Sequence, residues 1–236
     1  MSGGKARSWL DFWERSNRIY VNDRHLTVHC RRVADDILSL APEADAALLD
    51  HGSGDALEAH RVAERIGRLY LYDAASEVRA RLERRFAGQR RIAILDDAAL
   101  AALGDQSLDW IVVNSVLQYV PPPALDALLA LWRQKLKPGG SLVLADIIPP
   151  GDTMVGDTLA LLASAWRGGF FWAALAGLVA TFFSDYRRLR QKLGLSVYDE
   201  ASMIAKLRAA GFRAERRRPN LGFNQTRMTF IARPLP

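Results

Sequence analysis

One cysteine, Cys30, is all the thiol chemistry in 236 residues, so no internal disulfide can form. That fits a reducing compartment and leaves too few soft ligands for a zinc cluster. Histidine is almost as scarce, with His25, His29, His51 and His60 the full set. The first thirty residues lack an uninterrupted apolar run, being broken by Lys5, Arg7, Asp11, Glu14, Arg15 and Arg18. No secretory signal is read there, and a cytoplasmic location is expected. Internal repeats and low-complexity tracts are absent, and a composition of 50% hydrophobic and 25% charged residues excludes a disordered or collagenous chain. The net charge of +6 admits an anionic partner without naming one. Nucleic acid is disfavoured: the run Arg216-Arg217-Arg218 has no interleaved aromatic and reads as a solvated face.

What the chain does have is alternation. Apolar runs of strand length stand at 47–50 (ALLD), 69–72 (LYLY), 91–95 (RIAIL), 108–120 (LDWIVVNSVLQYV, a strand running into a turn) and 141–148 (SLVLADII). Between them lie helical patterns at 34–40, 57–66, 77–86 and 121–136, the last opened by three prolines. A further helix at 199–210, stopped by Gly211, precedes strand-like runs near 212–216 and 228–232. Near-continuous apolar strands alternating with helices predict a parallel sheet covered on both faces.

In such a sheet ligands bind beyond the carboxyl ends of the strands. The first three runs end in acids: Asp50 followed by His51-Gly52-Ser53-Gly54, Asp73 followed by Ala74, and Asp96-Asp97 followed by Ala98. The fourth ends at Asn114. Gly52 and Gly54 allow a sharp turn and close approach of a ligand to the backbone. Asp73, at the end of the second strand, is placed to accept both hydroxyls of a ribose. The dinucleotide pattern G-x-G-x-x-G fails, because Leu57 stands at its third glycine, and Asp50 suits an ammonium group better than a phosphate.

These pieces, in this order, resemble the class I S-adenosylmethionine-dependent methyltransferases. Asp50, Gly52 and Gly54 match the first motif of that family, an acid followed by G-x-G-x-G, with Ala56 in place of its third glycine. Asp73 matches its ribose-binding acid, and Asp97-Ala98 its adenine-contacting pair. SLDWIVVNSVLQYV and LKPGGSLVLAD match its fourth and fifth strand regions, and LRAAGF and TFIARP its closing helix, glycine and strand. The likeness covers roughly 45–150 and 196–234. It implies a doubly wound, mostly parallel seven-stranded Rossmann-like α/β sheet with the last strand reversed. It also implies S-adenosyl-L-methionine as cofactor, with Asp50, His51, Gly52, Ser53, Gly54, Asp73, Ala74, Asp96, Asp97, Ala98 and Asn114 as cofactor-binding residues.

The expected organisation is an N-terminal helical arm over 1–44, the cofactor-binding core over 45–150, an apolar helical insertion over 151–195, and the rest of the core sheet over 196–236. No base is identified, since methyl transfer relies mainly on positioning and needs a base only when the acceptor has a proton to lose. His25, on an arm that would have to fold over the pocket, His51 and Tyr119 are the candidates, while His29 and His60 read as surface residues. The stretch 159–183 has Arg167 as its only charge and is interrupted by Gly168-Gly169. A two-helix lid or dimer contact, and insertion into a bilayer surface aided by Arg187, Arg188, Arg190 and Lys192, are the leading readings, ahead of a transmembrane helix. Both point to a small lipophilic or lipid-linked acceptor, methylated at oxygen or nitrogen, a choice the sequence leaves open. The alternative from another class is an inactive methyltransferase-fold subunit that dimerises through the insertion.

Overall fold

The computed structural model describes residues 8–14, 23–40, 42–151, Trp166, Lys192 and 194–236. The stretch 159–183, apart from Trp166, and with it the lid, dimer, bilayer-surface and transmembrane readings, lies outside the described residues. Two helices, α1 (Trp9–Glu14) and α2 (Asp23–Leu38), precede the sheet. Then follow β1 (Ala47–His51), α3 (Ala59–Ala63), β2 (Arg68–Tyr72), α4 (Ser76–Arg85), β3 (Ile92–Leu95), α5 (Asp97–Ala102) and β4 (Leu108–Asn114). A 3-10 turn at Leu117–Tyr119 leads into α6 (Pro122–Lys135) and β5 (Leu136–Ile147), and the chain closes with α7 (Glu200–Ala209), β6 (Phe212–Arg217) and β7 (Met228–Pro234).

The seven strands lie in the order β3-β2-β1-β4-β5-β7-β6, with β7 antiparallel to both its neighbours and the other pairings parallel. The expected sheet with a reversed last strand is the one observed. Period-two alternation divides the apolar residues between two layers. Leu48, Val112, Val143 and Ala145 pack with α2, α3 and α4 on one face, while Leu49, Ile111, Val113, Leu142 and Leu144 pack with α6 and α7 on the other. The start of β1 is pinned to β4 through Asp109, whose carboxylate accepts the Ala47 amide at 2.8 Å and holds Lys137 at 2.8 Å.

Helix α2 begins at Asp23, well before the helical pattern expected from Ala34. Leu26, Cys30, Ala34 and Ile37 recur at helical spacing and are all buried, so one stripe seats the whole helix. Helix α3 is shorter than the expected 57–66. Helix α5 is an addition to the expected elements: Asp96 caps it, its carboxylate accepting the Ala99 amide at 2.7 Å.

Candidate functional site

A cavity of about 590 Å³ opens at the carboxyl ends of β1, β2, β4 and β5. The expected residues Asp50, His51, Gly52, Ser53, Gly54, Asp73, Ala74 and Asn114 all line it, as do His25 and Tyr119.

The turn after β1 is built from glycine's special backbone freedom. Gly52 sits at φ +85°, and a Cβ there would lie 2.3 Å from a Val116 methyl carbon. Its amide and that of Ser53 donate to the Tyr72 carbonyl at 2.7 and 3.0 Å, fastening the turn to the end of β2. At Gly54 a Cβ would meet nothing within 4 Å, so the backbone is open to approach. The Gly54 amide donates to Asp73 at 3.1 Å, and the other Asp73 oxygen accepts the Ala75 amide at 2.9 Å ahead of α4. Ala56, where the family resemblance has its third glycine, adopts φ +40°, a conformation that glycine takes without strain.

Two carboxylates share this end of the cavity. Asp50 is 6% exposed, and burial, then the Asp73 charge, push its pKa from 3.8 to about 7. Burial likewise raises Asp73, opposed by the amides of Ala75 and Gly54. Such a pair favours a cationic group. Three buried oxygens without a hydrogen-bond partner among the described residues, Ser53 Oγ, Asn114 Oδ1 and Gln118 Oε1, belong to residues lining the same cavity. Unsatisfied buried polar atoms cost about 1 to 3 kcal/mol each, so they mark where a ligand or water must supply partners.

His51 is buried and neutral, burial holding its pKa at about 4. Its Nδ1 accepts the Trp132 indole N–H at 3.3 Å, and its ring lies 4.5 Å from that of Tyr72. Asp96, Asp97 and Ala98 are exposed and are not among the residues lining this cavity. Asp96 caps α5, and Asp97 accepts the Tyr72 hydroxyl at 2.7 Å, reaching the site through that ring.

The N-terminal arm covers the cavity. Trp9 and Trp13 from α1, and His25, Leu26 and His29 from α2, contribute to its lining. His29 therefore lies in the cavity wall, contrary to the surface position expected for it, and desolvation there lowers its pKa to about 4. Trp9 and Trp13 pack on Tyr119, with ring centres 4.8 and 5.6 Å away. Glu14 ties α1 to α4: its carboxylate accepts the Ser76 amide at 2.8 Å, the Ser76 hydroxyl at 2.9 Å and the Glu77 amide at 3.3 Å.

Sequence reasoning missed the far wall. Ser115 and Asp146 directly follow β4 and the parallel-paired part of β5, both at positive φ, +58° and +62°. The Ser115 hydroxyl donates to Asp146 at 2.7 Å, and Arg227 pairs with the same carboxylate at 2.6 Å. The available signal was the acid in LVLAD, which continues the pattern of strands ending in acids.

Residues 48–140 match the model of a methyltransferase domain. A stretch of 103 residues is 35% identical to carboxy-S-adenosyl-L-methionine synthase from Dichelobacter nodosus, covering 44% of this chain and 39% of that protein. The matched stretch thus spans about two fifths of that relative's length. Among solved structures, the DhpI complex with S-adenosylhomocysteine superposes with a TM-score of 0.58 at 15% identity, covering 100% of both chains. Magnesium protoporphyrin IX methyltransferase from Synechocystis gives 0.55 at 16% identity, covering 95% of this chain and 93% of that one. At these identities the structural likeness establishes the fold. Residues 48–140 are thus similar to a methyltransferase domain, and the sheet has the fold of the class I S-adenosylmethionine-dependent methyltransferases.

Proposed function

We propose that the protein binds S-adenosylmethionine in this cavity and is a methyltransferase acting on a small, lipophilic acceptor. The observation that carries the reading is the junction of Gly54 with Asp73, at 3.1 Å. It couples a glycine turn open to a ligand with a carboxylate at the end of the second strand, and each Asp73 oxygen keeps a lone pair for a ribose hydroxyl. The residues fit the rest of the cofactor. Asp50 would hold the ammonium end, and the unpartnered oxygens of Ser53 and Asn114 can accept its N–H groups or a hydroxyl. Two mutually repelling carboxylates, Asp50 buried and Asp73 half-buried, suit a ligand carrying both a sulfonium and an ammonium charge.

When bound, the cofactor supplies a methyl group on a sulfonium, whose loss leaves a neutral thioether with the bonding electron pair on sulfur. The protein's part is to exclude water and hold the acceptor's lone pair in line with that methyl group. His25 lines the cavity, and burial lowers its pKa, so at neutral pH it is an unprotonated imidazole able to take a proton from the acceptor. The apolar stretch 159–183 and the aromatic wall of Trp9, Trp13 and Tyr119 support a lipophilic acceptor. The basic residues after that stretch support collection of the acceptor at a membrane surface.

Ultraviolet crosslinking with methyl-labelled S-adenosylmethionine, followed by peptide mapping, tests the site. Label on peptides containing cavity residues, competed away by S-adenosylhomocysteine, is expected. Absence of label, or label that the competitor leaves in place, contradicts the proposal.

A further inference from the structure

Gln118 sits on the turn Leu117–Tyr119 between β4 and α6, lines the cavity and is 7% exposed. Its Oε1 is buried without a hydrogen-bond partner among the described residues. The next residue, Tyr119, is the centre of the aromatic wall, with Trp9 at 4.8 Å and Trp13 at 5.6 Å between ring centres. One short turn therefore brings a buried carboxamide oxygen and an aromatic ring into the wall of the same cavity. It lies on the β4 side of the cavity, beyond the Gly52–Gly54 turn and Asp73 that the proposed cofactor occupies.

A carboxamide oxygen only accepts, so its occupant brings an O–H or N–H. Aromatic walls favour a ring that meets them in offset or edge-to-face packing. We infer that Gln118 is a positioning residue for the methyl acceptor, receiving the O–H or N–H of an aromatic ring packed against Trp9, Trp13 and Tyr119. The inference rests on the proposed methyl-transfer reading and names the acceptor class for that same site. A hydroxyl that donates its hydrogen to Gln118 keeps its lone pairs free for in-line attack. As the O–CH3 bond forms and the S–CH3 bond breaks, the electron pair of the broken bond stays on sulfur and the hydroxyl proton passes to the unprotonated His25 imidazole, which lines the same cavity. The resulting aryl ether has no donor left, so Gln118 also disfavours the product.

The test uses the full chain saturated with S-adenosylhomocysteine and three probes: 4-propylphenol, 4-propylaniline and propylbenzene, titrated by calorimetry. The phenol, the aniline or both are expected to bind about tenfold more tightly than propylbenzene, and which of them does so distinguishes oxygen from nitrogen acceptors. Gln118→Met keeps the length and removes the acceptor, so it should level the three affinities while leaving that for S-adenosylhomocysteine within about twofold. Equal binding of all probes by the wild type, no binding of any, or discrimination that survives in Gln118→Met overturns the inference. S-adenosylhomocysteine binding reports the fold of the variant, and if the variant fails to fold, the wild-type comparison of phenol, aniline and propylbenzene decides. Failure of S-adenosylhomocysteine itself to bind the wild type instead defeats the cofactor reading beneath it.

Discussion

Asp73 accepts the Gly54 amide on one carboxylate oxygen, at 3.1 Å, and the Ala75 amide on the other, at 2.9 Å. The turn after β1, the end of β2 and the start of α4 are thereby one unit, and ligand binding and local stability converge on a single side chain. The two roles separate by substitution. Asp73→Asn keeps an oxygen for the helix-start amide and should lose under about 0.5 kcal/mol of stability, whereas Asp73→Ala should lose about 1 kcal/mol. Both should weaken S-adenosylhomocysteine binding by about tenfold or more, because the charged acceptor is gone. Paired thermal unfolding and calorimetry check this.

Asp50 gives opposite pH trends for stability and binding. Its folded pKa of about 7 lies above the ordinary 3.8, so the native state holds an extra proton between those values. The stability tied to that proton is full below the ordinary value and is lost as pH rises towards 7. Binding of an ammonium group to ionised Asp50 moves the other way, weakening by up to about tenfold per pH unit below 7. Asp50→Asn should flatten both profiles, raise the stability of the ligand-free protein above pH 7 by about 2 kcal/mol, and abolish tight binding. Calorimetric titrations and melts between pH 5 and 9 read both trends.

Ala56 holds a left-handed backbone at φ +40° without glycine's freedom. Relief of that strain, less the extra entropy of a glycine in the unfolded chain, predicts that Ala56→Gly stabilises the protein by about 0.5 to 1 kcal/mol. Denaturant unfolding at unchanged slope measures it.

Glu14 holds α1 over the cavity by accepting the first amides of α4, and the Ser76 amide chiefly lowers its pKa. Its contribution is present above its ordinary pKa of 4.5 and is lost as pH falls through the lower folded value. Glu14→Ala should release the aromatic wall and red-shift the emission of Trp9 and Trp13, with a loss of about 1 kcal/mol in stability. The emission maximum and the melting temperature are the readouts.

The parallel part of the sheet was legible because apolar runs alternate with helices and the first three end in acids, while the reversed last strand was legible only through the family resemblance. Asp50, Gly52, Gly54 and Asp73 were legible for the same reason: they are consecutive features of the first two strand ends. What stayed hidden depends on distance along the chain. Arg227 meets Asp146 only because β7 inserts beside β5, and Glu14 meets Ser76 only when the arm folds back. His29 read as a surface residue because part of the stripe that seats α2, Leu26 and Cys30, falls before the helical pattern recognised at Ala34. Asp96 was legible only as one of two strand-end acids; its role as the cap of α5 depends on the Ala99 amide three residues on.

The central claim is that the cavity at the strand ends is a nucleoside-cofactor site organised by Asp73. Calorimetric titration of ligand-free protein with S-adenosylhomocysteine, beside Asp73→Ala, tests it most directly. Micromolar binding in the wild type that falls by about tenfold or more in the variant is the predicted result. No binding to a demonstrably empty, folded wild type, or equal affinity in the variant, would contradict it.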